Sequence, residues 1–124
     1  MSVPKKDIAL LLDIYECCKN IIELTKGMRY YKYEKEKKTR WAVERQFEII
    51  GQATNKISKE TQDLLNHIPW GQMVGLRNII AHEYGEIITE KIWYATKRSI
   101  PKLISDLKKI KELKCYIDLS KKSK

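Results

Sequence analysis

The run Leu76-Arg77-Asn78-Ile79-Ile80-Ala81-His82-Glu83-Tyr84 holds the residue types best suited to chemistry in this chain. An arginine is a permanently charged fork that matches a phosphate, and a histidine carries protons near neutral pH. On an ideal helix, at about 100° per residue, Met73, Leu76 and Ile80 share an arc that reads as core-facing. Arg77, Ala81 and Tyr84 share a second arc, with the i, i+4 pair Asn78 and His82 beside it. A guanidinium, a phenol, an imidazole and an amide thus form one polar strip. Ala81 lies between Arg77 and His82 and leaves the backbone open to a substrate or a second helix.

Arg77 and His82 are nonetheless offset by roughly 140° on a straight helix. One helix converges them poorly. Either the helix loosens before Gly85, a residue suited to a left-handed helix stop, or two copies of the strip face each other across a dimer. The plain alternative is a helix that carries an arginine and a histidine without using them.

The same residues carry a resemblance. Arg77 to Tyr84 follows the pattern R-x-x-x-x-H-x-Y and resembles the signature of HEPN-domain proteins, specifically the HepT-like toxins paired with a minimal nucleotidyltransferase antitoxin. Upstream, Glu44-Arg45-Gln46-Phe47-Glu48-Ile49-Ile50-Gly51-Gln52-Ala53 resembles that family's second helix. Ile68-Pro69-Trp70 followed by Gly75-Leu76-Arg77-Asn78 resembles its entry to the motif helix. The similarity spans residues 5–113. It implies a homodimeric endoribonuclease toxin with its site in the dimer cleft, Arg77 and His82 as catalytic residues and Asn78 in support. It also implies that Tyr84 is the tyrosine to which the cognate nucleotidyltransferase transfers AMP, silencing the toxin.

The residues suit such a reaction. RNA brings its own nucleophile, the 2′-hydroxyl, so cleavage needs only a base, an acid and a cation against the charge that develops on phosphorus. His82 and Arg77 supply those roles, and a symmetric dimer doubles each. No acidic cluster with metal-ligand spacing, glycine-rich phosphate loop or serine or cysteine nucleophile motif stands out. The reading is therefore metal-independent chemistry with no cofactor. Two other classes stay open: a non-catalytic HEPN module that binds RNA or nucleotide, and a helical adaptor for a nucleotidyltransferase.

The elements that must position the strip are helical. With five glycines and three prolines in 124 residues, and apolar residues recurring every three or four positions, the expectation is an all-α antiparallel bundle of four to five helices. Ile8, Leu11, Leu12, Tyr15, Cys18 and Ile22 mark a helix over 5–26, stopped by Gly27. A second runs over 39–59 with Thr39 as N-cap and Val43, Phe47, Ile50, Thr54 and Ile57 as its stripe. Its polar row, Arg45, Glu48, Gln52 and Asn55, either supports the motif helix by hydrogen bonds or faces water. Gly51 in mid-helix suggests close packing there, because it costs roughly 1 kcal/mol relative to alanine. A short turn over 61–67 ends at Pro69, and the motif helix runs over 70–84 until Gly85. Thr89 then caps a helix that Pro101 kinks or restarts near Ser99, and a last helix reaches about Tyr116. One domain over 1–117 and a frayed basic tail over 118–124 complete the expected plan.

The net charge of +9 and a pI near 9.4 point to an anionic partner such as RNA, or to an acidic protein. Residues 28–40 interleave Arg29, Lys32, Lys35, Lys37, Lys38 and Arg40 with Tyr30, Tyr31 and Tyr33. They read either as a track for a phosphate backbone with stacked bases or as a solvated loop with anchoring tyrosines. Cys17, Cys18 and Cys115 support neither a disulfide framework nor a zinc site, which fits a reducing cytoplasm. The apolar run over 9–12, bracketed by Asp7 and Asp13, is too short for a targeting or membrane segment.

Overall fold

The computed structural model of the chain describes residues 2–83 and 86–122. Among them are seven helices and no strand: α1 (Lys5–Thr25), α2 (Tyr30–Lys35), α3 (Lys37–Lys56), α4 (Lys59–Leu64), α5 (Trp70–His82), α6 (Glu86–Lys108) and α7 (Lys111–Lys122). Five have 12 residues or more and form the expected all-α bundle, while α2 and α4 have six each and act as connectors. α1 packs on α3 and α6, and α3 in turn carries α5.

The core follows the periodicity, with one shift. In α1 the buried residues Leu11, Ile14, Cys18, Ile21 and Thr25 follow an alternating three-four spacing that keeps one seam toward the neighbours, and Asp7, Tyr15 and Cys17 are buried beside it. Ile21 therefore fills the core position expected of Ile22, which is 37% exposed. Val43, Phe47, Ile50 and Thr54 are buried along α3 as their stripe requires. Gly27, at φ 74°, turns the chain out of α1 in a conformation other residues rarely adopt.

Several boundaries differ from expectation. Thr39 is not the N-cap of α3, which begins at Lys37; its hydroxyl instead donates to Glu36 Oε1 at 2.9 Å. α3 ends at Lys56 because Ser58 starts a new helix, its Oγ accepting from the Thr61 amide at 3.2 Å. Asp7 of α1 reaches this cap. It is buried and accepts from Ser58 Oγ at 2.6 Å and Thr61 Oγ1 at 2.5 Å. Burial pushes its carboxyl up, but these hydrogen bonds outweigh burial and hold it below its ordinary value of 3.8.

Of the kink or restart expected at Pro101, the restart does not occur, since α6 runs through it. Proline leaves the carbonyl four residues back without its amide partner, and here both Lys97 and Pro101 face solvent, where water can replace it. Neighbouring Ile100 and Leu103 are buried and hold the helix to the core. Thr89 is not a cap but lies buried within α6. α7 continues to Lys122, beyond the helix end expected near Tyr116, with Ile117 buried against the bundle. Residues 28–40 are neither wholly track nor wholly loop. Tyr30 and Tyr33 of α2 lay their rings 6.2 and 4.9 Å from Trp93 of α6, while Tyr31 is exposed.

Candidate active site

α5 is held at its start by hydrogen bonds. The Trp70 indole donates to the carbonyls of Gln62 and Leu65, each at 3.1 Å, and the Gln62 amide donates to the Thr54 carbonyl at the end of α3 at 3.1 Å. Met73 and Leu76 are buried and Ile80 packs against the core, as the first arc requires. At its far end the helix stops at His82. Glu83 is extended (φ −113°, ψ 156°) and pairs with Lys91 of α6 at 3.3 Å.

This ending is earlier than the spacing suggests. The helix expected over 70–84 runs over Trp70–His82, and Glu83 is already extended. Tyr84 itself, the expected AMP acceptor, and Gly85, the expected stop, lie outside the described residues.

Arg77 leans on α3 at Gly51. A Cβ built on Gly51 would stand 2.6 Å from the Arg77 Cβ and 2.7 Å from its Cδ. The missing side chain is thus what lets the arginine stem cross α3. Arg77 is half-buried, and among the described residues no carboxylate pairs with its guanidinium. Asn78 and His82 are exposed, with no hydrogen bond to any described side chain. Because α5 is regular through His82, the offset between Arg77 and His82 is real within one chain. Among the described residues no group of three or more His, Cys, Asp or Glu is placed to hold a metal.

One further face bears on the site. Gly71, Gly75, Asn78 and His82 fall within about 60° of one another around α5. A Cβ added at Gly71 or Gly75 would meet nothing within 4 Å. This is an open, low-relief helix face ending in the imidazole.

Comparisons with known proteins give the chain a family. A family model described as Ribonuclease HepT-like matches residues 14–110, which include Arg77, Asn78, His82 and Tyr84. The chain belongs to the HepT-like ribonuclease family. Its relatives include "Putative RNase MJ1380" of Methanocaldococcus jannaschii, 39% identical over 80% of this chain and 92% of that protein. Another is "Probable ribonuclease HepT" of Thermococcus cleftensis, 32% identical over 82% of this chain and 93% of that protein. No solved structure matched the chain.

Within this HepT-like bundle, the polar row of α3 faces water. Arg45 pairs with Glu48 of its own helix at 3.6 Å, Gln52 and Asn55 are exposed, and none of the four has a hydrogen bond to α5 among the described residues. Support for Arg77 comes from Gly51 instead. The cost of a mid-helix glycine was the signal for it, though not for which side chain it admits. Sequence reasoning missed the Trp70 anchor and the open face through Gly71 and Gly75, since both depend on what lies opposite them.

Proposed function

We propose that the protein is a metal-independent endoribonuclease toxin that acts as a homodimer through Arg77 and His82. The observation that carries this reading is an arginine stem seated on Gly51 with its guanidinium unpaired among the described residues, on the same helix as an exposed His82. A guanidinium without a carboxylate partner is available to a phosphate.

The offset within one chain favours a two-fold arrangement of α5 helices, for which the bare face at Gly71 and Gly75 permits close approach. In that cleft one His82 takes the proton from a 2′-hydroxyl, whose oxygen attacks the adjacent phosphorus. The other His82 gives a proton to the departing 5′-oxygen, and Arg77 meets the charge on the phosphoryl oxygens. The products are a 2′,3′-cyclic phosphate and a 5′-hydroxyl, so no water is consumed in the cut. Asn78, one turn before His82, would orient the ribose or the imidazole.

For regulation, the reading rests on the resemblance of the motif tyrosine to that of HepT-like toxins. A nucleotidyltransferase antitoxin transfers AMP from ATP to Tyr84, the phenol oxygen attacking the α-phosphate and pyrophosphate leaving. Phosphate charge on Tyr84, two residues from His82, would occupy the space and the cation that RNA needs. The test is RNA cleavage by purified protein in EDTA, wild type beside His82→Ala, before and after incubation with the partner and ATP. Cutting that survives EDTA and is lost in His82→Ala supports the mechanism. Equal cleavage by the two proteins removes it, and AMP found by peptide mass spectrometry on a tyrosine other than Tyr84 removes the regulatory assignment.

A further inference from the structure

On the side of α5 away from Arg77 lies an open groove of about 510 Å³, shared with α6. Leu76 and Ile79 of α5 and Ala95 of α6 make its apolar walls, Gly75 leaves it open, and the exposed Tyr94 ring borders it. The Arg98 guanidinium lies 4.8 Å from the centroid of that ring, and one position earlier the Lys97 ammonium lies 4.5 Å from the Trp93 ring. Lys91 is occupied by Glu83, but Arg98 and Lys97 have no carboxylate partner among the described residues.

We infer that this groove receives a base of single-stranded RNA, stacked on Tyr94, next to the nucleotide at the cleft. The inference rests on the ribonuclease reading and deepens it to a class of substrate. Apolar walls beside an exposed aromatic ring suit the faces of a base, and neighbouring cations suit the backbone that carries it. Glu90 at the rim repels a phosphate but accepts from a base's exocyclic amine, so the groove takes a base and not the backbone. Position agrees as well. Ile79 precedes His82 by one helical turn, a rise of roughly 5 Å, and Gly75 belongs to both the groove and the open face. A base in the groove would thus lie about one nucleotide from the imidazole. A folded duplex cannot offer an unstacked base in this way, so single strands or loops are the substrates.

The test measures anisotropy of a short fluorescein-labelled single-stranded oligoribonucleotide on the non-cleaving His82→Ala protein, with molar mass by light scattering. Adding Tyr94→Ala should weaken binding roughly tenfold, the effect of losing one base–aromatic stack, at unchanged mass. Tyr94→Phe should retain the affinity. In the cleaving protein, Tyr94→Ala should raise KM more than it lowers kcat. Unchanged affinity and KM in Tyr94→Ala overturn the inference while leaving the ribonuclease reading intact. A loss of affinity that accompanies a fall to monomer mass also overturns it, because the groove is then a contact between copies. Tyr94-dependent binding by a wild-type protein that cuts no RNA upholds the groove and sinks the ribonuclease reading instead.

Discussion

In the proposed reaction Arg77 and His82 have different roles, and substitutions should separate them. Arg77→Lys keeps a positive charge but loses the planar fork that holds two phosphoryl oxygens. Its stem is still linear past the Cβ, so it still fits over Gly51. Cleavage by Arg77→Lys should therefore fall by roughly tenfold or more, whereas His82→Ala should lose about a hundredfold or more, the usual size of positioned acid–base catalysis. His82 is exposed, so thermal melting of His82→Ala should match the wild type. Single-turnover cleavage checks the first expectation and calorimetry the second. Tyr84→Phe lacks the attacking oxygen, and it should stay active after incubation with the antitoxin and ATP while the wild type is silenced.

Between helices, the decisive contact is the crossing of α3 and α5 at Gly51. Alanine is the better helix former by roughly 1 kcal/mol, yet its Cβ would collide with the Arg77 Cβ, which is fixed to the backbone and cannot swing aside. Overpacking of this kind costs about 1–3 kcal/mol. Gly51→Ala should lower the melting temperature and cleavage together. Higher stability in that variant would show that the crossing is looser than described. The junction of α1 with α4 makes a second prediction, through pH. Asp7 is held below its ordinary 3.8 in the folded chain. Its contribution is therefore complete above the unfolded value and is lost as pH falls through the lower folded one. Denaturant midpoints should drop on acidification below about 4, and Asp7→Ala should shrink that drop while destabilising the protein at neutral pH by about 1–3 kcal/mol.

At the scale of the whole molecule, the regular course of α5 through His82 means that the proposed reaction calls for two paired chains. Sedimentation at micromolar concentration should give a dimer, and a monomer that still cuts RNA would reject the shared cleft. A bulky substitution on the bare face, Gly71→Trp, should dissociate the dimer and abolish cleavage without touching Arg77 or His82. Cysteine chemistry gives an independent check of the bundle. Burial raises the Cys17 thiol to about 11 and the Cys18 thiol further, whereas Cys115 is exposed. A thiol reagent at neutral pH should label Cys115 alone in the folded protein and all three cysteines in denaturant.

Helical class and the identity of the motif helix could be read from the chain by itself, because three- and four-residue spacing and scarce turn residues are local properties. So could Arg77, Asn78 and His82 as candidates, since their types announce chemistry before any fold is known. Helix limits were less legible. Pro101 reads as a kink or a restart until the solvent exposure of Lys97 makes its lost hydrogen bond tolerable, and Thr39 reads as a cap although α3 already begins at Lys37 and the Thr39 hydroxyl donates to Glu36. Only the tertiary structure decided that Gly51 serves Arg77, that the polar row of α3 faces water, and that a groove opens beside Tyr94. Each of these depends on what stands across a gap between helices, and a chain's local pattern fixes which face is apolar without naming the residue opposite.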